Sequence, residues 1–280
     1  MTRLSPDDIA KGIRHLPSLP IVVLDVLKSF EQPEASVGEL ADKVARDQAL
    51  AAKTLRIANS SFYGLSRKVT TIQQAITILG FDSVRALIAA AAVTDVFSSG
   101  RQGGFDFKAF WRHAIGTGLW AKMLARQLKL NQDYAFVCGL LHDIGRLVLV
   151  TRFPEQYAAA MRYRTQKDCY VIEAERAVLE MDHAAVGRAL ADYWKFPVIM
   201  QKAIADHHEP QGEDLRDVPA VVHIAEATVH ALDMAQDDDD LVPVVSEDAW
   251  KSLGLEACEF RGMCRDAEAE FEEACQILVV

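Results

Sequence analysis

Residues 137–149 read VCGLLHDIGRLVL, and the pair in the middle sets the terms for the whole chain. The run is apolar on both sides of His142 and Asp143, so it belongs in an interior. An unpartnered carboxylate there is costly, and the pair therefore needs strong polar company. Further histidines stand at places that suit helices: His113, His183 and the doublet His207-His208, which with His142 make five of the chain's eight. Imidazole and carboxylate together form a hard-to-borderline metal site, suited to iron, manganese, zinc or nickel. Adjacent residues on a helix point about 100° apart, so His142 and Asp143 can flank one metal, or serve two, only from a kink or a helix end. His207-His208 precedes Glu209-Pro210 and so lies at a helix terminus.

Working outward, half of the 280 residues are hydrophobic, enough for a sizeable core. Mean hydropathy is near zero. The longest apolar-rich run, near 86–93, is too short to cross a bilayer, and the opening MTRLSPDDIAKGIRHLP lacks the apolar centre of a signal peptide. No membrane association is expected. Five cysteines, an odd number with no CxxC, point to reduced thiols in a cytoplasmic protein. Net charge is −10 and falls almost wholly after residue 100. Nucleic-acid binding needs a basic footprint and is not expected; Arg56, Arg67 and Lys68 read as a solvated face.

Helical spacing dominates, without sustained two-residue alternation, and the predicted fold class is all-α. Helices are expected over 20–30, 36–46 (Ser36 and Glu39 forming a capping box), 48–58, 71–79 (Thr71 cap, Gly80 stop) and 82–97. The segment SSGRQGG at 98–104 reads as a flexible linker. Beyond it, helices are expected at about 105–129, 132–150, 154–165, 168–180, 182–193, 197–208 and 218–234. Asp237 to Asp240 read as a solvated break. The expected organisation is an N-terminal helical bundle at 1–97, a second helical domain at 105–235 and a helical extension at 241–280. In that extension Phe260, Cys264, Ala267, Phe271, Ala274 and Leu278 step by four and three, an amphipathic stripe that suits packing on its own domain or a homodimer or partner contact. Trp111, Trp120, Trp194 and Phe196 read as core; His15, His223 and His230 as surface or satisfied core; Cys258 and Cys264 do not suggest zinc.

The ordered series WRHAIGTGLWA (111–121), GLLHDIGRLVL (139–149), MDHAAVGRALADYWKFP (181–197) and IADHHEP (204–210) resembles the HD superfamily of metal-dependent phosphohydrolases. The N-terminal half adds LPSLPIVVLDVL (16–27), ELADKVARDQALAAKTLRIANSSFYG (39–64) and TIQQAITILGFDSVRALI (71–88), which resemble the HDOD family of bacterial signalling proteins. The likeness spans roughly 14–230. It implies a helical bundle followed by an HD-type helical domain. It also implies a ligand set of His113, His142, Asp143, His183, His207 and His208, with Glu226 where the superfamily has aspartate.

Several positions depart from the pattern. Gln48 replaces a proline after Asp47. Arg146 stands where the related HD-GYP phosphodiesterases have lysine. Ala109 stands where such enzymes often place an acid, and EPQGEDLRDVP (209–219) replaces the Gly-Tyr-Pro segment. Arginine stays charged and is poorly suited to proton transfer. The resemblance therefore implies a bacterial signal-transduction output or adaptor module that retains a metal pocket and works through contacts with signalling proteins. The competing expectation is an active metallophosphohydrolase acting on a nucleotide or cyclic dinucleotide.

Overall fold

The computed structural model describes residues 3–30, 32, 36–59, 65, 68–97, 105–211, 216–236 and 241–278. Among them the regular structure is entirely helical. The expected linker at 98–104 and the Asp237 to Asp240 break lie outside the described residues.

The N-terminal part holds α1 (Pro6–Arg14), α2 (Ile21–Ser29), α3 (Val37–Arg46), α4 (Gln48–Ala58), α5 (Ile72–Leu79) and α6 (Phe81–Val96). Local chemistry sets the starts. Ser36, Asp47 and Thr71 each accept a backbone N–H three residues on, at 3.3, 3.1 and 3.1 Å, so Asp47 caps α4 and Gln48 simply begins it. Gly80 has φ +87°, a conformation that favours glycine, and it separates α5 from α6. The apolar run of α6 is buried, as its composition requires, with α2, α4 and α5 packed around it. Helix α1 was not expected from so charged a segment. A capping box between Ser5 and Asp8 starts it, and Ile9 and Ile13 bury one face.

The rest comprises α7 (Phe107–Gln127), α8 (Gln132–Leu141), α9 (Ile144–Arg152), α10 (Pro154–Lys167), α11 (Val171–Leu179), α12 (His183–Tyr193), α13 (Val198–Asp206), α14 (Val218–Ala231), α15 (Glu247–Leu253) and α16 (Ala257–Leu278). Helices α7, α8 and α14 form the centre, where Trp120 is fully enclosed and Trp111, Trp194 and Phe196 are buried as expected. The two parts meet through α6 on α8, and α1 reaches across to α9 and α12.

Two expectations need correction. The helix expected over 132–150 is two helices, broken at His142 and Asp143. The break lets α9 press on α12: a Cβ on Gly145 would lie 1.9 Å from the His183 carbonyl oxygen. Secondly, the run near 86–93 is not the most membrane-like stretch. Gln132–Arg152 is long and apolar enough to span a membrane by composition, but 89% of its apolar window is buried inside the protein and the break divides it.

The stripe on α16 packs on the chain's own α7 only in part as expected. Ala267, Phe271 and Ala274 are buried, Phe260 and Cys264 are half-buried, and the Leu278 side chain lies outside the described residues; Met263 and Cys275, not in the expected stripe, are buried with it. Arg112 of α7 pins the helix, donating to Glu272 at 2.6 and 3.2 Å and to the Met234 carbonyl at 3.1 Å. Its guanidinium also lies over the Phe271 ring.

Candidate metal centre

The break between α8 and α9 delivers both members of the central pair to one place. His142 ends α8 and Asp143 precedes α9, so neither is bound to the 100° step of a continuous helix. His113 projects from the middle of α7, His183 is the first residue of α12, His207 and His208 follow α13, and Glu226 lies on α14. All seven sequence-predicted residues converge. Asp143 Oδ1 is 3.1 Å from His183 Nε2 and 3.6 Å from His207 Nε2. His142 Nε2 is 3.8 Å from Asp143 Oδ2 and 3.1 Å from His113 Nε2. His208 closes the ring, 2.8 Å from His183 Nε2 and 3.5 Å from the Glu226 carboxylate.

A surrounding layer fixes how the imidazoles face. His142 Nδ1 donates to the Gly139 carbonyl at 2.6 Å, His207 Nδ1 to the Ile204 carbonyl at 2.8 Å, and His183 Nδ1 to Glu175 at 2.6 Å. A carbonyl or carboxylate oxygen only accepts, so each Nδ1 carries a proton; the neutral rings of His142 and His207 turn an Nε2 lone pair inward, and His183 turns its Nε2 to Asp143. Histidines that bind metals are oriented in this way by acceptors behind them. Asp143 Oδ1, buried among these nitrogens, makes no well-aligned hydrogen bond. The lone pairs of the neutral imidazoles converge on a carboxylate oxygen that His183 faces most closely, as an ion-pair partner at 3.1 Å, and a cation suits that arrangement once His183 gives up its Nε2 proton. The donor set therefore fits a divalent transition metal, which would be held by Asp143 and the inward-facing Nε2 atoms and would act as a Lewis acid when bound.

Without a metal, the electrostatics keep most of the imidazoles neutral and single out His183. Burial, reinforced by neighbouring imidazoles, holds His113, His207 and His208 well below the ordinary histidine range, so they stay neutral. For His183 burial acts the same way, but Glu175 and Asp143 outweigh it and hold the ring well above that range. Burial would raise Asp143; His142, His183 and Arg146 reverse this and keep it ionised. Arg146 Nη1 lies 3.1 Å from Asp143 Oδ2, and its Nε faces the Tyr157 hydroxyl at 3.4 Å.

Three participants escaped the sequence reading. His230 was expected to be surface or satisfied core, yet its ring lies 4.5 Å from that of His113 and its Nε2 is 3.9 Å from Glu226. The available signal was its place four residues after Glu226, on the same helix face. Glu175, fully buried, holds both the backbone N–H and the Nδ1–H of His183. No local pattern marked it. His223 is a satisfied core residue, as expected, but it supports the cluster by donating to the His207 carbonyl at 2.7 Å. A cavity of about 250 Å³ opens beside the cluster, lined by Arg146, Arg176 and His208 and also by Leu241, Pro243 and Val244.

Fold and site together define an all-helical protein of HD type with a histidine–carboxylate cluster at its centre. The HDOD domain family model matches residues 16–210, and the chain belongs to that family, which is related to the HD phosphohydrolase superfamily. An uncharacterised protein of Treponema pallidum is 26% identical over 232 residues, covering 80% of this chain and 44% of that protein. Ribonuclease Y of Mycoplasmoides gallisepticum is 32% identical over 96 residues, covering 34% of this chain and 14% of that one. The chain thus spans less than half the length of these curated relatives. Among solved structures, an HDOD domain protein of unknown function from Geobacter sulfurreducens shares the fold with a TM-score of 0.82 at 24% identity, covering 96% of each chain. A provisionally assigned phosphohydrolase of Shewanella amazonensis gives 0.76 at 25% identity, covering 97% of this chain and 98% of that one.

Proposed function

We propose that the chain is a signalling output or adaptor module that binds a divalent transition metal and works through protein contacts rather than turnover. The observation that carries this reading is the ion pair between Arg146 and Asp143. A hydrolase of this type needs its central carboxylate to organise metal and attacking water, and a group nearby that can exchange a proton. Here a permanently charged guanidinium occupies one carboxylate oxygen, which leaves Asp143 less free to organise an attacking water, and unlike the cluster histidines it gives no proton at neutral pH. The cluster that remains can still knit α7, α8, α9, α12, α13 and α14 into one unit around a cation.

The test is hydrolysis of cyclic dinucleotides and simple phosphodiesters by protein loaded with manganese, iron, zinc or nickel. The expected result is metal bound without multiple turnover. A second reading, a metal-dependent phosphohydrolase, draws on the intact ligand cluster and the arginine-flanked cavity. Multiple turnover that disappears in the His142→Ala, Asp143→Ala double variant would establish it in place of the first.

A further inference from the structure

One wall of the cavity is a non-helical strap, residues 241–246, leading into α15. Its seating is light. Leu241, Pro243 and Val245 are half-buried, but Val242 and Val244 are 51% and 78% exposed, so apolar burial holds it down only in part. Among the described residues, two hydrogen bonds tie it to side chains elsewhere in the protein. Tyr170 donates its hydroxyl to the Val242 carbonyl at 3.1 Å, and the Ser246 backbone N–H donates to His223 Nε2 at 2.9 Å.

The second tether leads to the cluster. Because Nε2 of His223 accepts, its proton lies on Nδ1, which donates to the His207 carbonyl. One buried neutral ring therefore spans from the cavity wall to the backbone of a cluster histidine. His207 in turn has its Nδ1 fixed by Ile204 and its Nε2 turned to Asp143. A shift of His207 toward a bound cation pulls on His223, and a shift of the strap does the same from the other side.

We propose that His223 is a positioning residue that couples seating of the 241–246 strap to occupancy of the metal cluster, so that cation binding and closure of the cavity wall favour each other. The inference rests on the metal-binding reading. Because coupling between two sites is reciprocal, loosening the strap must weaken metal binding by the factor by which metal steadies the strap. Loss of a supporting group behind a metal ligand changes affinity by about 10–100-fold, and the expected factor is near the lower end, about tenfold.

Two variants separate the links. Tyr170→Phe cuts the other tether without touching a cluster residue. His223→Asn keeps a donor near the His207 carbonyl but removes the acceptor for Ser246. Metal affinity is measured by equilibrium dialysis against Zn²⁺ and Mn²⁺, and strap seating by amide hydrogen exchange over 241–246, with and without metal. The expected result is about tenfold slower exchange at Ser246 on metal binding in the wild type. The effect should vanish in His223→Asn, and metal affinity should fall in Tyr170→Phe. Metal binding with unchanged exchange, or unchanged affinity in Tyr170→Phe, would overturn the coupling and leave the metal reading standing. Failure of the wild type to bind either ion would overturn both.

Discussion

Glu175 offers the sharpest test of how the cluster is built, because both hydrogen bonds that it accepts come from His183. It is fully buried and accepts from His183 N at 2.8 Å and from His183 Nδ1 at 2.6 Å. Glu175→Ala leaves two buried donors without an acceptor. At about 1–3 kcal/mol each, and with a buried charge partner lost, the expected destabilisation is on the order of 3–5 kcal/mol. Glu175→Gln keeps an oxygen in reach of both donors and loses only charge assistance, on the order of 1–2 kcal/mol. At about 2–4 °C per kcal/mol for a domain of roughly this size, thermal unfolding should separate the two variants clearly. Both should weaken metal binding by about 10–100-fold, because the carboxylate makes His183 Nε2 a better donor and fixes its direction. Calorimetry of unfolding and metal dialysis check the two effects independently. Wild-type melting and wild-type metal affinity in Glu175→Ala would show that the orientation of His183 is set elsewhere, and the account of the surrounding layer would fail.

Asp143→Ala should destabilise the protein by on the order of 3–5 kcal/mol, since it strips His183, His207 and Arg146 of a buried partner; an unchanged melting temperature with and without metal would make the residue peripheral. Gly145→Ala drives a methyl into the His183 carbonyl, so α9 and α12 must separate; the expected cost is about 3 kcal/mol or more in urea unfolding, and a wild-type midpoint would contradict the close approach. Burial pushes the Cys275 thiol up to about 12, so it stays protonated at pH 8. With a disulfide reagent, the partly exposed Cys169 should react in the native protein and Cys275 should not; equal rates would refute the burial of the α16 seam.

The caps and the apolar periodicity were legible in the sequence because they are local. Ser36 and Thr71 act on amides three residues away, and each begins the helix expected of it; Asp47 starts α4 in the same way, though the expectation covered the helix and not its cap. Helix α1 was missed: Ser5-Pro6 and Asp8 mark its start, but its two isoleucines give too short an apolar signal to stand out. The types of residue in the cluster were equally plain, since a histidine–aspartate pair in an apolar run demands polar partners wherever they come from.

The sequence by itself therefore determined an all-helical chain, the positions of most helices and the donors that must meet. Only the tertiary structure decided how they meet. It broke the 132–150 helix so that two adjacent side chains could face one point, brought Glu175 behind His183, added His230 beside Glu226, and seated the α16 stripe on α7. The physical reason is the same in each case. Periodicity shows that a face will be covered, and burial shows that a charge needs a partner, but neither depends on which distant segment supplies the cover or the partner. That choice rests on packing between helices far apart in sequence, such as the contact of Gly145 with the His183 backbone, and it exists only once the chain has folded.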